Sequence, residues 1–259
     1  LKNLAPDKVP YLGLLKSVLG YVDTAHYTYG ELSNEINAET GGIACGVEVF
    51  DRADSVDEYR AFFGVKGKVM YPKMDVIFRM IREILNTSDV TDTRRLHEII
   101  SRVKSRAQSS LVSAGHSTAV LRAASYASPM AAFQDGMAGI AYYQFIEKLD
   151  REFDDRKEEI IENLKSLMVE ILRPENLCIS YTGERESLDS VQKQIRELKK
   201  TLHQEVTESS SSEMICQKKN EGFMTSGQVQ YVAQAGNFRK KGYDYTGALN
   251  ILKVALSYD

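Results

Sequence analysis

The chain has 259 residues, 43% of them hydrophobic and 27% charged, which is an ordinary globular balance and enough for one large domain or one and a half ordinary ones. A net charge of -3 gives no electrostatic reason to expect a nucleic-acid partner, and no window approaches the roughly 18 to 20 apolar residues of a membrane span. Neither an initiator Met nor a secretion signal opens the chain at Leu1-Lys2-Asn3-Leu4-Ala5-Pro6, so a piece of a longer protein is expected.

In chain order, Pro10 to Leu19 is apolar with helical spacing. Thr28-Tyr29-Gly30-Glu31 has the form of a capping box, with Leu32 and Ile36 continuing a helix that Gly41-Gly42 ends. Ile43 to Phe50 places Ile43, Cys45, Val47 and Val49 on one face of a strand. A polar turn over 51–57 leads to a second strand carrying Phe63, Val65, Gly67 and Val69, and the short connection predicts antiparallel pairing. The period then becomes helical. Met74, Ile77, Phe78, Ile81, Ile84 and Leu85 form one stripe. Asp92 caps the next helix, which carries Leu96, Ile99, Ile100, Val103, Ala107 and Leu111. Its basic outer residues, Arg94, Arg95, Arg102, Lys104 and Arg106, read as a solvated face.

Small residues dominate 113–141, with a break at Ser128-Pro129. Helices follow from Tyr142 and over Ile160 to Ile171, the second closed by Pro174, and the charge run 150–162 reads as solvated. Leu177 to Tyr181 reads as a strand, and Leu188, Val191, Ile195, Leu198 and Leu202 mark an amphipathic helix. The polar tract Thr207 to Ser212 is a linker candidate. Beyond it lie a strand over 227–235, a basic loop over 237–243 and a helix over 246–258. Strand pairs with long helices and no β-α-β alternation predict an α+β fold: an antiparallel sheet with helices packed on one face.

One further pattern concerns organisation. Leu14-Leu15-Lys16-Ser17-Val18-Leu19-Gly20-Tyr21 is echoed, 237 positions on, by Ile251-Leu252-Lys253-Val254-Ala255-Leu256-Ser257-Tyr258. A domain-sized repeat of this kind suggests one complete unit over 1–206, a linker over 207–213, and the incomplete start of a second related unit over 214–259, a truncated copy of the first.

No catalytic, cofactor-binding or metal-ligating residue emerges. His26, His97, His116 and His203 lie too far apart in sequence for two to share a helical turn as zinc-binding motifs require. A nucleophile elbow and a Gly-rich phosphate loop are absent from the sequence. Gly115-His116-Ser117 reads as a helix start or packing site. Cys45, Cys178 and Cys216 form neither a disulfide framework nor a zinc ribbon. Buried thiols in a reducing, cytoplasmic compartment are expected.

Several strings are more specific. Val9-Pro10-Tyr11-Leu12-Gly13-Leu14-Leu15, Tyr27-Thr28-Tyr29-Gly30-Glu31-Leu32, Asn34-Glu35-Ile36-Asn37, Thr40-Gly41-Gly42-Ile43, Gly115-His116, Gly139-Ile140-Ala141-Tyr142-Tyr143 and Tyr245-Thr246-Gly247-Ala248-Leu249 resemble, in order, the C-terminal half of pitrilysin/insulinase-type zinc metallopeptidases of the presequence protease and falcilysin branch. The resemblance implies four related α+β domains, two halves closing around a chamber for unfolded peptides, and zinc held by an inverted H-x-x-E-H in the N-terminal half. It places this chain at the third domain and the start of the fourth. Where the zinc helix would lie, Tyr11 to Val18 has neither His nor Glu, so no catalytic residue carries over. The expected partners are the parent's N-terminal half and, in the full enzyme, unfolded peptides, with no nucleic acid and no membrane. The expected role is a non-catalytic part of the chamber wall. A catalytically inactive scaffold or binding subunit of the same superfamily is the alternative.

Overall fold

Helix α1 (Val9–Val18) lies at the centre of the molecule and is enclosed on nearly every side. The computed structural model describes residues 1, 4–52, 54–204, 214, 216–225 and 229–257. Tyr11, Leu12, Leu14, Leu15 and Val18 of α1 are all buried, because helices on several sides and one strand face cover them. The chain leaves α1 through Gly20 at φ 84°, a left-handed conformation that favours glycine.

Helix α2 (Tyr29–Glu39) starts on the expected capping box: Thr28 Oγ1 accepts from the Glu31 N–H at 3.3 Å, and Glu31 Oε2 accepts from the Thr28 N–H at 2.9 Å. Leu32 and Ile36 turn inward. The helix closes at Thr40 in an extended conformation, and Gly42 beyond it takes φ 105° to start the hairpin.

Strands β1 (Ile43–Asp51) and β2 (Tyr59–Gly67) pair antiparallel, with Ile43 opposite Gly67 and Asp51 opposite Tyr59. The inner face carries Ile43, Cys45, Val47, Val49, Tyr59, Ala61, Phe63 and Val65 against the core, as the alternation predicts. Phe50 and Phe62 stand on the other face, exposed, their ring centroids 6.2 Å apart. Gly67 is required where it is: a Cβ there would come within 2.6 Å of Ile77 Cδ1.

Helix α3 (Met74–Thr87) buries the predicted stripe and also Met80 and Glu83. Its Met74, Ile77 and Phe78 meet Val191 and Leu198 of α9 (Leu188–Thr201), a second, smaller apolar cluster. Helix α4 (Thr93–Ser113) is capped by Asp92, whose Oδ1 accepts from Arg95 N at 3.0 Å; its first half is core and its second half runs outward. Helices α5 (Gly115–Ser125), α6 (Pro129–Ala138), α7 (Ile140–Arg151) and α8 (Phe153–Ile171) complete the helical body, with Ser128 capping α6. Helix α10 (Ala248–Ser257) closes the described chain and is exposed throughout.

The mixture of helices with an antiparallel sheet agrees with an α+β fold, and three expectations need correction. Among the described residues the sheet has only two strands. Leu177 to Tyr181 is not a strand: no neighbouring strand pairs with it, and Cys178 and Ile179 are exposed, so an alternating apolar pattern had no second row to satisfy its backbone. Residues 229–235 likewise form no strand, and the remainder of that expected strand, with the expected linker over 207–213, lies outside the described residues.

Candidate functional site

The residues with chemical potential are dispersed. His26 Nδ1 lies 3.0 Å from Glu83 Oε2, and Glu83 Oε1 also accepts from the His26 backbone N–H at 3.0 Å. Burial pushes the Glu83 carboxyl up, but hydrogen bonds from Thr24, His26 and Thr87 outweigh it and leave the group below its ordinary range. On the opposite side, His97 stacks on Phe153 at 4.4 Å and lies 3.5 Å from Asp150. Asp150 also accepts from Ser101 and Lys104, both at 2.5 Å, so it is tied to α4 rather than solvated as its charge run suggested. His116 sits at the second position of α5 beside Tyr231, which confirms Gly115-His116-Ser117 as a helix start. His203 follows α9, its N–H bonded to Leu172 O at 2.9 Å.

These donors do not converge. Among the described residues no group of three or more His, Cys, Asp or Glu side chains is placed to hold a metal ion, so the residues present do not fit a zinc site of the three- or four-ligand kind. The three cysteines are all unpaired with one another. Cys45 packs on the core and burial pushes its thiol up to about 12, whereas Cys178 is exposed, contrary to the buried role expected for it. No helix among the described residues is long and apolar enough to cross a membrane.

One concave region stands out. An open cavity of about 1550 Å³ runs along α5 and α7 and is bridged by residues 218–225 and 229–236. Its helical wall offers the small residues Gly115, Ala119 and Ala123 predicted to permit close approach, and Tyr231 packs directly on Gly115, where a Cβ would meet its ring at 2.6 Å. At its floor Arg122 reaches the buried Asp135, with Nη1 2.6 Å from Oδ2. Sequence reasoning passed over Arg122, Asp135 and Glu221; an Asp within a run of small, packed residues was the available signal.

The site therefore offers polypeptide-sized space and an arginine node rather than a reactive centre. Comparison with known proteins agrees in kind. The profile of the peptidase-associated family, the region that accompanies subfamily C of the pitrilysin-type metallopeptidases, matches residues 1–149. The chain belongs to this peptidase-associated family. It is 33% identical over 257 residues to Protein HypA of Clostridium perfringens (strain 13 / Type A), covering 99% of this chain and 26% of that one. It is 25% identical over 263 residues to Presequence protease 1, chloroplastic/mitochondrial, of Arabidopsis thaliana, covering 98% of this chain and 24% of that one. It is 28% identical over 168 residues to the mitochondrial Presequence protease of Yarrowia lipolytica (strain CLIB 122 / E 150), covering 64% of this chain and 17% of that one. The peptidase-associated chain thus spans about a quarter or less of the length of these curated relatives. The expected kinship with a C-terminal region of the pitrilysin type, presequence protease branch, holds.

Proposed function

We propose that this chain is a non-catalytic C-terminal part of a zinc-dependent metalloendopeptidase that degrades unfolded peptides, and that it forms part of the wall of the peptide chamber. The observation that carries the reading is the peptidase-associated match over 1–149 joined to near-complete alignment with a presequence protease. The dispersed donors of this chain are compatible with a wall, and the open cavity along α5 and α7 supplies polypeptide-sized space. Zinc would be held by the N-terminal half, where it would activate water and polarise the scissile carbonyl. This chain's own residues would bound the space in which the peptide lies.

Helix α10 we read as the counterpart of α1 in a second related unit. The sequence echo supports this, as does the exposure of Ile251, Leu252, Val254 and Leu256, whose counterparts in α1 are buried.

The test is complementation. This chain, mixed with a separately expressed N-terminal half of the parent, is expected to cleave an unstructured fluorogenic peptide, and each alone is expected to be inactive. Zinc-dependent hydrolysis by this chain alone would overturn the reading, as would failure of the two together.

A further inference from the structure

Arg122 is held so that one edge of its guanidinium is spent and the other is offered to the cavity. Asp135, 2% exposed at the end of α6, accepts from Ile140 N at 2.9 Å through Oδ1 and from Arg122 Nη1 at 2.6 Å through Oδ2. Gly139 leaves room for that carboxylate, since a Cβ there would meet Oδ1 at 2.1 Å. The free edge, Nε and Nη2, meets a single oxygen, Glu221 Oε2, at 2.9 and 2.8 Å. The Tyr126 hydroxyl donates to the same oxygen. The Tyr126 and Phe223 rings flank the guanidinium carbon at 5.3 and 5.7 Å.

Glu221 and Phe223 come from a stretch that the body holds as it would hold a ligand. Residues 216–224 have neither helix nor strand, and no backbone–backbone hydrogen bond among the described residues joins them to α5, α6 or α7. They are fixed by side chains, while Met224 points into solvent. Between the two anchors, a Cβ on Gly222 would meet nothing within 4 Å, and its φ is not left-handed, so the middle position is not read. Because Asp135 already balances Arg122, the recognition is directional hydrogen bonding to a carboxylate plus a ring on the cation rather than net charge attraction.

We propose that Arg122, Asp135 and Tyr126 form a recognition site for an extended peptide carrying a carboxylate followed two residues later by an aromatic ring, and that the chain's own Glu221-Gly222-Phe223 fills this site in cis. The proposal rests on the reading that this chain meets unfolded peptides, and it names a feature those peptides carry. A tethered occupant acts at high effective concentration, so an incoming peptide must displace it.

The test uses the full chain and a fluorescein-labelled peptide of residues 218–225, read by fluorescence polarisation. Against the Glu221→Gln chain, whose own occupant is weakened, the peptide is expected to bind about tenfold more tightly than to the unaltered chain, the size of one charge-assisted contact. The same peptide with Gln in place of its Glu is expected to lose about tenfold against that variant. This second comparison changes only the ligand, so no folding defect can imitate it. Equal binding of the Glu and Gln peptides, or no binding of either to the Glu221→Gln chain, would overturn the proposal. Complementation with the N-terminal half is a separate readout: its failure with the peptide preference intact removes the chamber reading and leaves this site standing.

Discussion

The tightest contact in the core involves a glycine, and it sets a sharp test of how α1 is packed. Gly13 lies in the middle of α1, where an alanine would ordinarily favour the helix by about 1 kcal/mol over glycine. The surroundings oppose that gain. A Cβ on Gly13 would come 2.7 Å from Tyr142 Cε2 and 2.9 Å from the Met137 carbonyl oxygen, distances that real Cβ atoms essentially never show. Tyr142 is 5% exposed, and Met137 O belongs to the backbone of α6, so neither can yield without moving α1 against α6 and α7. Overpacking of this kind costs ~1–3 kcal/mol, and a backbone obstacle places Gly13→Ala toward the top of that range. After subtracting the helix gain, a net loss of about 1–2 kcal/mol is expected, or a fall in Tm of ~3–6 °C for a chain of this size. Gly30→Ala is the control. Gly30 is also helical, in the first turn of α2, but nothing lies within 4 Å of the added carbon, so stability should rise by ~0.5 kcal/mol. Urea unfolding followed by circular dichroism at 222 nm measures both. Opposite signs for the two substitutions are required; a Gly13→Ala chain as stable as the unaltered one would refute the packing argument.

Three other outcomes are expected. Thr28→Ala removes the side-chain half of the α2 capping box and should cost about 1 kcal/mol in the same urea experiment, with no loss implying that the cap is idle. Glu159 accepts from Arg156 and from Tyr11, which hold its carboxyl at about 2, below the 4.5 of the free group. A depressed folded pKa stabilises fully above about 4.5 and is lost as pH falls toward about 2, so the stability difference between the unaltered chain and Glu159→Gln should shrink across that window, and a pH-independent difference would count against the assignment. Finally, iodoacetamide at about pH 8 should label exposed Cys178 in the native chain and spare Cys45, whose thiol burial pushes up to about 12; equal labelling by mass spectrometry would contradict the burial of β1's inner face.

The parts of this fold that sequence made visible are those governed by period and by local chemistry. The β1 alternation was readable because only one face of the hairpin is covered, and the Thr28 and Asp92 caps because each hydrogen bond spans three residues. Met80 carried a readable signal, three after Ile77 and four before Ile84, yet it broadens the stripe only because α3 is packed on both α2 and α9. Glu83 carried none: its partner His26 is 57 residues away, and an isolated Glu on an amphipathic helix is ordinarily exposed. The Arg122–Glu221 contact spans 99 residues and was invisible for the same reason. Leu177 to Tyr181 shows the converse error, since apolar alternation records what a segment could pair with and not whether a partner strand is present.

Helices α1 and α10 share a sequence pattern and differ in surroundings, and the difference is informative about what the pattern is for. Leu14, Leu15 and Val18 are each 0% exposed, whereas Ile251, Leu252, Val254 and Leu256 are 73%, 52%, 56% and 75% exposed. Fully burying an aliphatic side chain is worth ~1.5–3 kcal/mol, so α1 draws much of its stability from neighbours that α10 lacks among the described residues. Intrinsic propensity does not replace that term, because a helix of ten residues is marginal in water by itself. Nor is α10 a surface helix by composition: Lys253 is its only charged residue, and apolar side chains occur on more than one side. Such a sequence is economical only where it is enclosed on several faces, as α1 is by α4, α6, α7, α8 and β1. That supports our reading of α10 as the central helix of a second unit, and it ties the reading to a physical requirement, the enclosure of its apolar side chains, rather than to the resemblance of two short strings.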